Sequence, residues 1–268
     1  MRGSKAGKVF LLASLAIFLW IGIVRAGGSE GSLPGAPFSP GEKLTFRMIY
    51  FALPAGTAVL EVKEITSWEN HQVYRLVATA QSSSLFSLFY RVKDRLESLI
   101  DTGTFLPYRF EKDQREGSYR NNEVTLFDRK GKEATTFDAG EKKDNPERTS
   151  ISAPPDVQDV LSAFYYLRRQ DLKVGKSVFI DVNADAKNYQ VEVKVLRKEK
   201  LGRKRLKTIV VKPILKQVKL GGILEEKGDI YIWLTDDERR IPVLIKARVV
   251  IGSLTMMLID KELGGETR

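Results

Sequence analysis

From Gly41 onward, apolar side chains recur at every second position, and that spacing commits the chain to building a sheet. Leu44, Phe46, Met48 and Tyr50 share one face of the first run, while Lys43, Thr45 and Arg47 share the other. Ala58, Leu60 and Val62 alternate in the same way with Glu61 and Lys63, and Tyr74, Leu76, Ala78 and Ala80 repeat the pattern. Further strands are predicted over 91–101, 104–112, 121–128, 132–137, 177–183, 189–197, 206–213, 229–235, 241–251 and 254–260, with Asp101-Thr102-Gly103 and Arg129-Lys130-Gly131 as turns. About a dozen antiparallel strands exceed what a flat open sheet usually holds, so the sheet is expected to curl. The expected fold is mainly β: a curved antiparallel sheet forming a barrel or half-barrel.

One segment breaks the rhythm. After Pro154-Pro155, residues Val157, Val160, Leu161, Phe164 and Leu167 fall at helical spacing. They predict one long amphipathic helix near 155–170 that covers or plugs the concave side. Asp156 and Asp159 suit its N-terminal end, and Arg168-Arg169 suit its C-terminal end. Asp156, Gln158, Arg168 and Arg169 are expected to face water. The charged, aperiodic stretch 139–152 is read as a long exposed loop.

The N-terminus is of another kind. Arg2, Lys5 and Lys8 precede an apolar run from Val9 to Val24, and Val24-Arg25-Ala26 follows. A basic start, a short apolar middle and small residues before a glycine pair spell a secretory signal peptide. The run is shorter than the about 20 residues of a spanning helix. Residues 1–26 are therefore read as a signal cleaved near Ala26, with an uncleaved inner-membrane anchor as the alternative. Gly/Ser/Pro-rich residues 27–40 read as a flexible linker, 41–262 as a single β-rich domain and 263–268 as a tail. The implied location is the periplasm.

Composition narrows the chemistry. The chain has no cysteine, hence no disulfide framework, no thiol chemistry and no lipid-modified cysteine after the signal. His71 is the sole histidine, which argues against zinc or haem, so no metal and no cofactor are expected. Net charge is +10, or +6 without the four cations Arg2, Lys5, Lys8 and Arg25. That mild excess favours anionic envelope surfaces, and nucleic acid is a poor partner for an exported protein.

Candidate sites are few. Asp181, Asn183, Asp185 and Glu192 have calcium-loop spacing, but Ala186 stands where the loop needs glycine, and the flanks alternate like strands. A polar hairpin tip is the simpler reading. Asp236-Asp237-Glu238 reads as a charged turn, since consecutive acids diverge and arginines follow. Ser253 lacks the glycine pattern of a hydrolase elbow, and His71 adjoins a turn. Asp94, on the face of Val92 and Leu96, is the one acid placed to point inward, with no partner identifiable in sequence. No catalytic constellation emerges.

Two features carry more weight. Leu85, Phe86, Leu88, Phe89 and Tyr90 form an apolar cluster between strands. Packing inward is the ordinary reading; the functional one is a greasy lip at a barrel mouth, with Leu85, Phe86, Phe89 and Tyr90 as ligand-binding candidates. Residues 194–219 hold eleven Lys/Arg against one acid, Glu199, with Arg203, Lys204 and Arg205 at a hairpin tip. They suit either a lysine-protected solvated edge or contact with an anionic surface.

Gly41 to Tyr50 with Ala55 to Ala58, then Gly228 to Val243 through Ile251-Gly252-Ser253, with Asp156 to Arg168 between, resemble the bacterial exported family called domain of unknown function 3108. The resemblance spans about residues 40–262. It implies an envelope location and a single domain, and supplies no catalytic residue. The open β-barrels of periplasmic lipoprotein carriers are an analogy of fold alone.

The expectation is thus a monomeric, non-enzymatic envelope protein that binds a lipid-like or amphipathic ligand in its curved sheet. In support, the last strands are apolar on both faces: Ile241, Val243, Ile245, Val249 and Ile251 oppose Leu244 and Val250, and Leu254, Met256 and Leu258 oppose Met257 and Ile259. The alternative is an interaction or scaffolding protein that contacts cell-wall or outer-membrane components, or an envelope protein partner, through its basic face. An enzyme would need Asp94 and a second acid converging in a polar groove.

Overall fold

The first alternating run forms a strand whose inward residues Leu44, Phe46, Met48 and Tyr50 are buried. The computed structural model describes residues 35–140, 147–218, 224–226, 229–248 and 252–265, with side chains of 215–228 left aside. The expected signal peptide, most of the linker and residues Val249, Val250 and Ile251 lie outside the described residues.

The strands are β1 (Glu42–Tyr50), β2 (Leu53–Trp68), β3 (His71–Ser82), β4 (Lys93–Asp101), β5 (Pro107–Glu116), β6 (Tyr119–Asp128), β7 (Glu133–Asp138) and β8 (Arg148–Ser152), followed by β9 (Ser177–Ala184), β10 (Lys187–Leu201), β11 (Leu206–Val218), β12 (Leu224–Glu226), β13 (Asp229–Thr235), β14 (Pro242–Arg248) and β15 (Ser253–Leu263). Helices α1 (Ser84–Ser87) and α2 (Val160–Arg169) interrupt them. One antiparallel sheet runs in the order β8-β7-β6-β5-β4-β3-β2-β1-β15-β14-β13-β11-β10-β9, with β12 paired to β11. Two meanders thus meet where β1 pairs β15. Strand β8 corrects the expected 139–152 loop: Arg148–Ser152 lies along β7, pairing Ala134 with Ile151.

The ladder is open, because β8 and β9 are not paired with each other. Laid flat, so many strands at about 4.8 Å spacing would put their outer edges roughly 60 Å apart. Instead Asn188 Nδ2, at the start of β10, donates to Ser152 O at the end of β8, 2.5 Å away. The sheet therefore curls until its edges meet at one end. Residues between β8 and β9 cross the seam, where Gln158 adds a parallel bridge to β9 (Gln158 N to Asp181 O 2.8 Å, Asn183 N to Gln158 O 2.7 Å).

That bridge shortens the predicted helix. Pro155 and Asp156 form a turn, Gln158 is held along β9, and α2 spans ten residues rather than the whole of 155–170. Asp159 caps it through Leu161 N at 2.7 Å and Ser162 N at 2.8 Å, while Ser162 Oγ accepts from Asp159 N at 2.9 Å. Ser98 Oγ on β4 donates to the same carboxylate at 2.5 Å, fixing this end of the helix against the sheet. At the other end Arg168 is buried, contrary to the expectation that it faces water. It grips the buried Glu42 of β1 bidentately, Nη1 to Oε1 at 2.6 Å and Nη2 to Oε2 at 2.9 Å, and donates to Arg239 O. Gln158 is buried too. The supposed linker is packed at Phe38, whose ring meets Tyr74, Phe105 and Tyr165 at 5.4, 5.9 and 5.0 Å.

The two ends of the curled sheet differ. One carries the turns β1–β2, β3–β4, β9–β10 and β14–β15; the other carries β2–β3, β4–β5, β10–β11 and β13–β14. The convex face has its own apolar cluster, Val210, Trp233, Val243 and Leu244, covered in part by Leu196 and Leu258. That cluster covers Leu244 and also Val243, which a register shift between β13 and β14 moves off the face of Ile241 and Ile245, while Met257 and Ile259 of β15 stay exposed.

Candidate functional site

Between α2 and the strands facing it, side chains do not fill the concavity. A cavity of about 130 Å³ remains. Helix α2 contributes Val160, Ala163, Phe164 and Leu167; β2 contributes Ala58 and Leu60; β9 and β10 contribute Ile180, Val182, Val191 and Val193. Pro213, Ile230, Ile232, Ile245 and Met256 complete the wall, and Thr79 is the one polar residue in it. The amphipathic face of α2 makes this roof, because the capped and clamped helix ends hold its apolar stripe over the sheet.

The cavity sits where the ladder loosens. Strand β11 pairs β13 only from Thr208↔Thr235 to Val211↔Ile232, then turns to β12. Pro213 has no N–H to continue the ladder at that point. The walls lie toward the β1–β2 end: Val182 is close to the end of β9, and Ile230 follows the first residue of β13. An aliphatic cavity of similar size, about 150 Å³, stays dry and takes up an apolar guest. Chemically, this space can solvate hydrocarbon and nothing charged.

Past Val160, toward β4, β5 and β6, the interior becomes polar. Lys112 of β5 is buried between Asp185, at 2.5 Å, and Glu123, at 3.4 Å. Burial opposes its charge, but the two carboxylates outweigh burial and hold the ammonium above its ordinary value. Asp94 does point inward, as its strand alternation predicts, and it has the partner that sequence did not show. It accepts from Arg115 N at 2.9 Å and shares a hydrogen bond with the buried Glu116. Burial is the main influence and raises the Asp94 carboxyl above 3.8, with the Arg115 and Glu116 hydrogen bonds pulling the other way. Tyr90 is bonded to Glu116 and is raised by burial as well. Neither acid lines the cavity.

The remaining candidates separate. Leu85 and Phe89 are exposed, at 71% and 84%, as is Leu88, so the inward-packed reading fails for them. It holds for Phe86, set edge-on to Tyr50 at 6.1 Å, and for Tyr90, whose ring lies 2.9 Å from where a Gly117 β-carbon would stand. None of the four lines the cavity. Arg203, Lys204 and Arg205 are exposed at the β10–β11 turn, the end opposite the lip. One surface cannot present both groups.

The calcium-like stretch is a hairpin with Asp185 and Ala186 at its tip, both left-handed (φ +48° and +53°), a type I′ turn. Its acids are dispersed: Asp181 to Gln190, Asp185 to Lys112, Glu192 to Ser177. Asp237 accepts from Thr235 Oγ1, Arg239 N and Arg240 N, a self-contained turn. His71 stacks on Tyr108 at 4.6 Å. Among the described residues no three acidic or histidine side chains converge as metal ligands, and no helix is long and apolar enough to cross a membrane.

Known structures resemble this one in fold. A β-barrel-like protein of domain of unknown function DUF1849 from Brucella abortus matches with a TM-score of 0.55 at 9% identity, covering 85% of this chain and 99% of that one. A protein from Bacteroides fragilis described as exported, with a YmcC-like fold, aligns over 87% of this chain and 100% of its own at 7% identity, but its TM-score of 0.34 carries no argument. No curated protein matches the chain. The family model described as protein of unknown function (DUF3108) matches residues 45–259, from the first strand to the last, and the chain belongs to that family.

Proposed function

We propose that this protein is an exported, monomeric, non-enzymatic component of the cell envelope that holds the hydrocarbon part of a lipid-like or amphipathic ligand between α2 and the curved sheet. The observation that carries this reading is the cavity of about 130 Å³ with Thr79 as its one polar lining residue. Its size suits a segment of one acyl chain, leaving a headgroup outside. The Asp94–Glu116 pair does not line that space and is buried, which supports binding over catalysis. The basic and apolar N-terminal segment supports export.

The test is titration with a fluorescent fatty-acid analogue, competed by unlabelled fatty acid. Saturable, competable binding is expected, weakened about tenfold by Ala163→Leu, which occupies the space. Binding unchanged by that substitution would place the probe elsewhere and sink the proposal. A second reading, a scaffold for anionic envelope components, draws on the exposed Arg203-Lys204-Arg205 tip. Charge reversal at all three would then abolish binding to anionic vesicles.

A further inference from the structure

We propose that the cavity end of the sheet docks onto an anionic lipid bilayer through an apolar lip built from two neighbouring turns. The five most exposed large apolar side chains among the described residues all lie there: Phe89 84%, Leu88 78%, Leu85 71%, Leu53 63% and Phe51 54%. Two come from the β1–β2 turn and three from the β3–β4 connection. The turns are joined: Ser83 N donates to Ala55 O at 2.8 Å, and Ser83 Oγ to Pro54 O at 3.3 Å. Ser82 Oγ accepts from Val92 N at 2.9 Å and bonds Ser87 Oγ at 2.7 Å, closing the base of the second loop. The lip is therefore preformed.

Backbone strain marks it further. Phe51 and Ala52 hold φ of +48° and +65°, a region that suits glycine or asparagine. The Phe51 ring sits edge-on to Tyr50 at 4.8 Å and over Gly252, which fixes its direction while more than half of it stays in water. The charge fits one occupant. Segments 50–57 and 82–93 contain Arg91 and Lys93 and no acid, and both cations are exposed. Apolar groups flanked by cations are what an interface with anionic headgroups selects. Side chains on two loop tips offer little flat area, whereas a stable protein interface buries roughly 800 Å² on each partner; a deformable bilayer needs no such plane. The proposal does not depend on what fills the cavity, though docking would turn its nearer end toward lipid.

The chain has no cysteine, so a single introduced one carries a probe cleanly. Leu88→Cys and, at the opposite end, Lys204→Cys would each be labelled with an environment-sensitive dye on the full chain. Vesicles of phosphatidylcholine with phosphatidylglycerol would carry brominated acyl chains as quenchers. Quenching at position 88 and none at 204 is expected, weakened several-fold by Arg91→Glu with Lys93→Glu. Phe89→Asn, at the most exposed of the five positions, is expected to leave the melting temperature unchanged while partition falls about tenfold. No quenching at 88, as a protein partner for this lip would give, or equal quenching at both sites, as insertion by the N-terminal segment with random orientation would give, overturns the proposal. Quenching indifferent to phosphatidylglycerol overturns its anionic part. Fatty-acid binding is read separately, so failure of the lip leaves the cavity reading standing.

Discussion

Replacing Ala163 by leucine adds three carbons to the one helix position that is small and faces the cavity. Three buried carbons at about 0.8 kcal/mol each contribute about 2.4 kcal/mol, less about 0.5–1 kcal/mol for ordering the side chain. The net gain is about 1.5 kcal/mol, or about 3–6 °C in melting temperature for a domain of this size. Urea unfolding should show a higher midpoint with an unchanged slope. Ala134 on β7, fully buried and away from the cavity, is the control: Ala134→Leu overpacks and should cost about 1–3 kcal/mol. If Ala163→Leu costs as much as Ala134→Leu, the space is not there and the reasoning fails.

Removing Arg168 by Arg168→Met leaves the buried Glu42 carboxylate unpaired and should cost about 3–5 kcal/mol. The double substitution with Glu42→Met should restore most of that in urea melts, whereas equal additive losses would mean the pair is not coupled. Asp94, raised above 3.8 by burial, keeps its proton longer in the folded state than in the unfolded one. Its contribution is therefore fully present below pH 3.8 and is lost as pH rises through the folded value. The stability of Asp94→Asn relative to the parent should accordingly increase from pH 3.8 upward; a difference that is flat or falls with pH contradicts the burial argument. Arg203→Glu, Lys204→Glu and Arg205→Glu together should leave vesicle docking through the lip intact, since they lie at the other end, and loss of docking in flotation assays would reverse the assigned orientation.

Legibility followed the range of the interaction. Alternation is local, so the strands and the inward turn of Asp94 could be read directly. Strand β8 could not, because Arg148–Ser152 is polar and its pairing with β7 is what makes it a strand. Apolar spacing continues through Val157 and so predicts a longer helix, while the bridge that holds Gln158 along β9 comes from a strand about twenty residues on. Arg168 reads as solvent-facing for the same reason: its partner, Glu42, lies on the first strand. Asp94 meets Glu116 only once β4 and β5 are in register, as Val92↔Glu116 shows. Half of the lip was visible at Leu85 and Phe89, but Phe51 and Leu53 join it only through the Ser83 hydrogen bonds. The cavity draws its walls from strands at both ends of the chain, and no local pattern announces it.

Hydrocarbon held under α2 should stay with the protein through a gentle purification. Native mass spectrometry of the protein from an envelope fraction, with extraction of whatever it carries, reads this out. A stoichiometric adduct that extracts as an acyl-bearing lipid is expected, with about tenfold lower occupancy in the Ala163→Leu variant at limiting lipid. A clean apo mass that also takes up no lipid from added vesicles would contradict binding under α2.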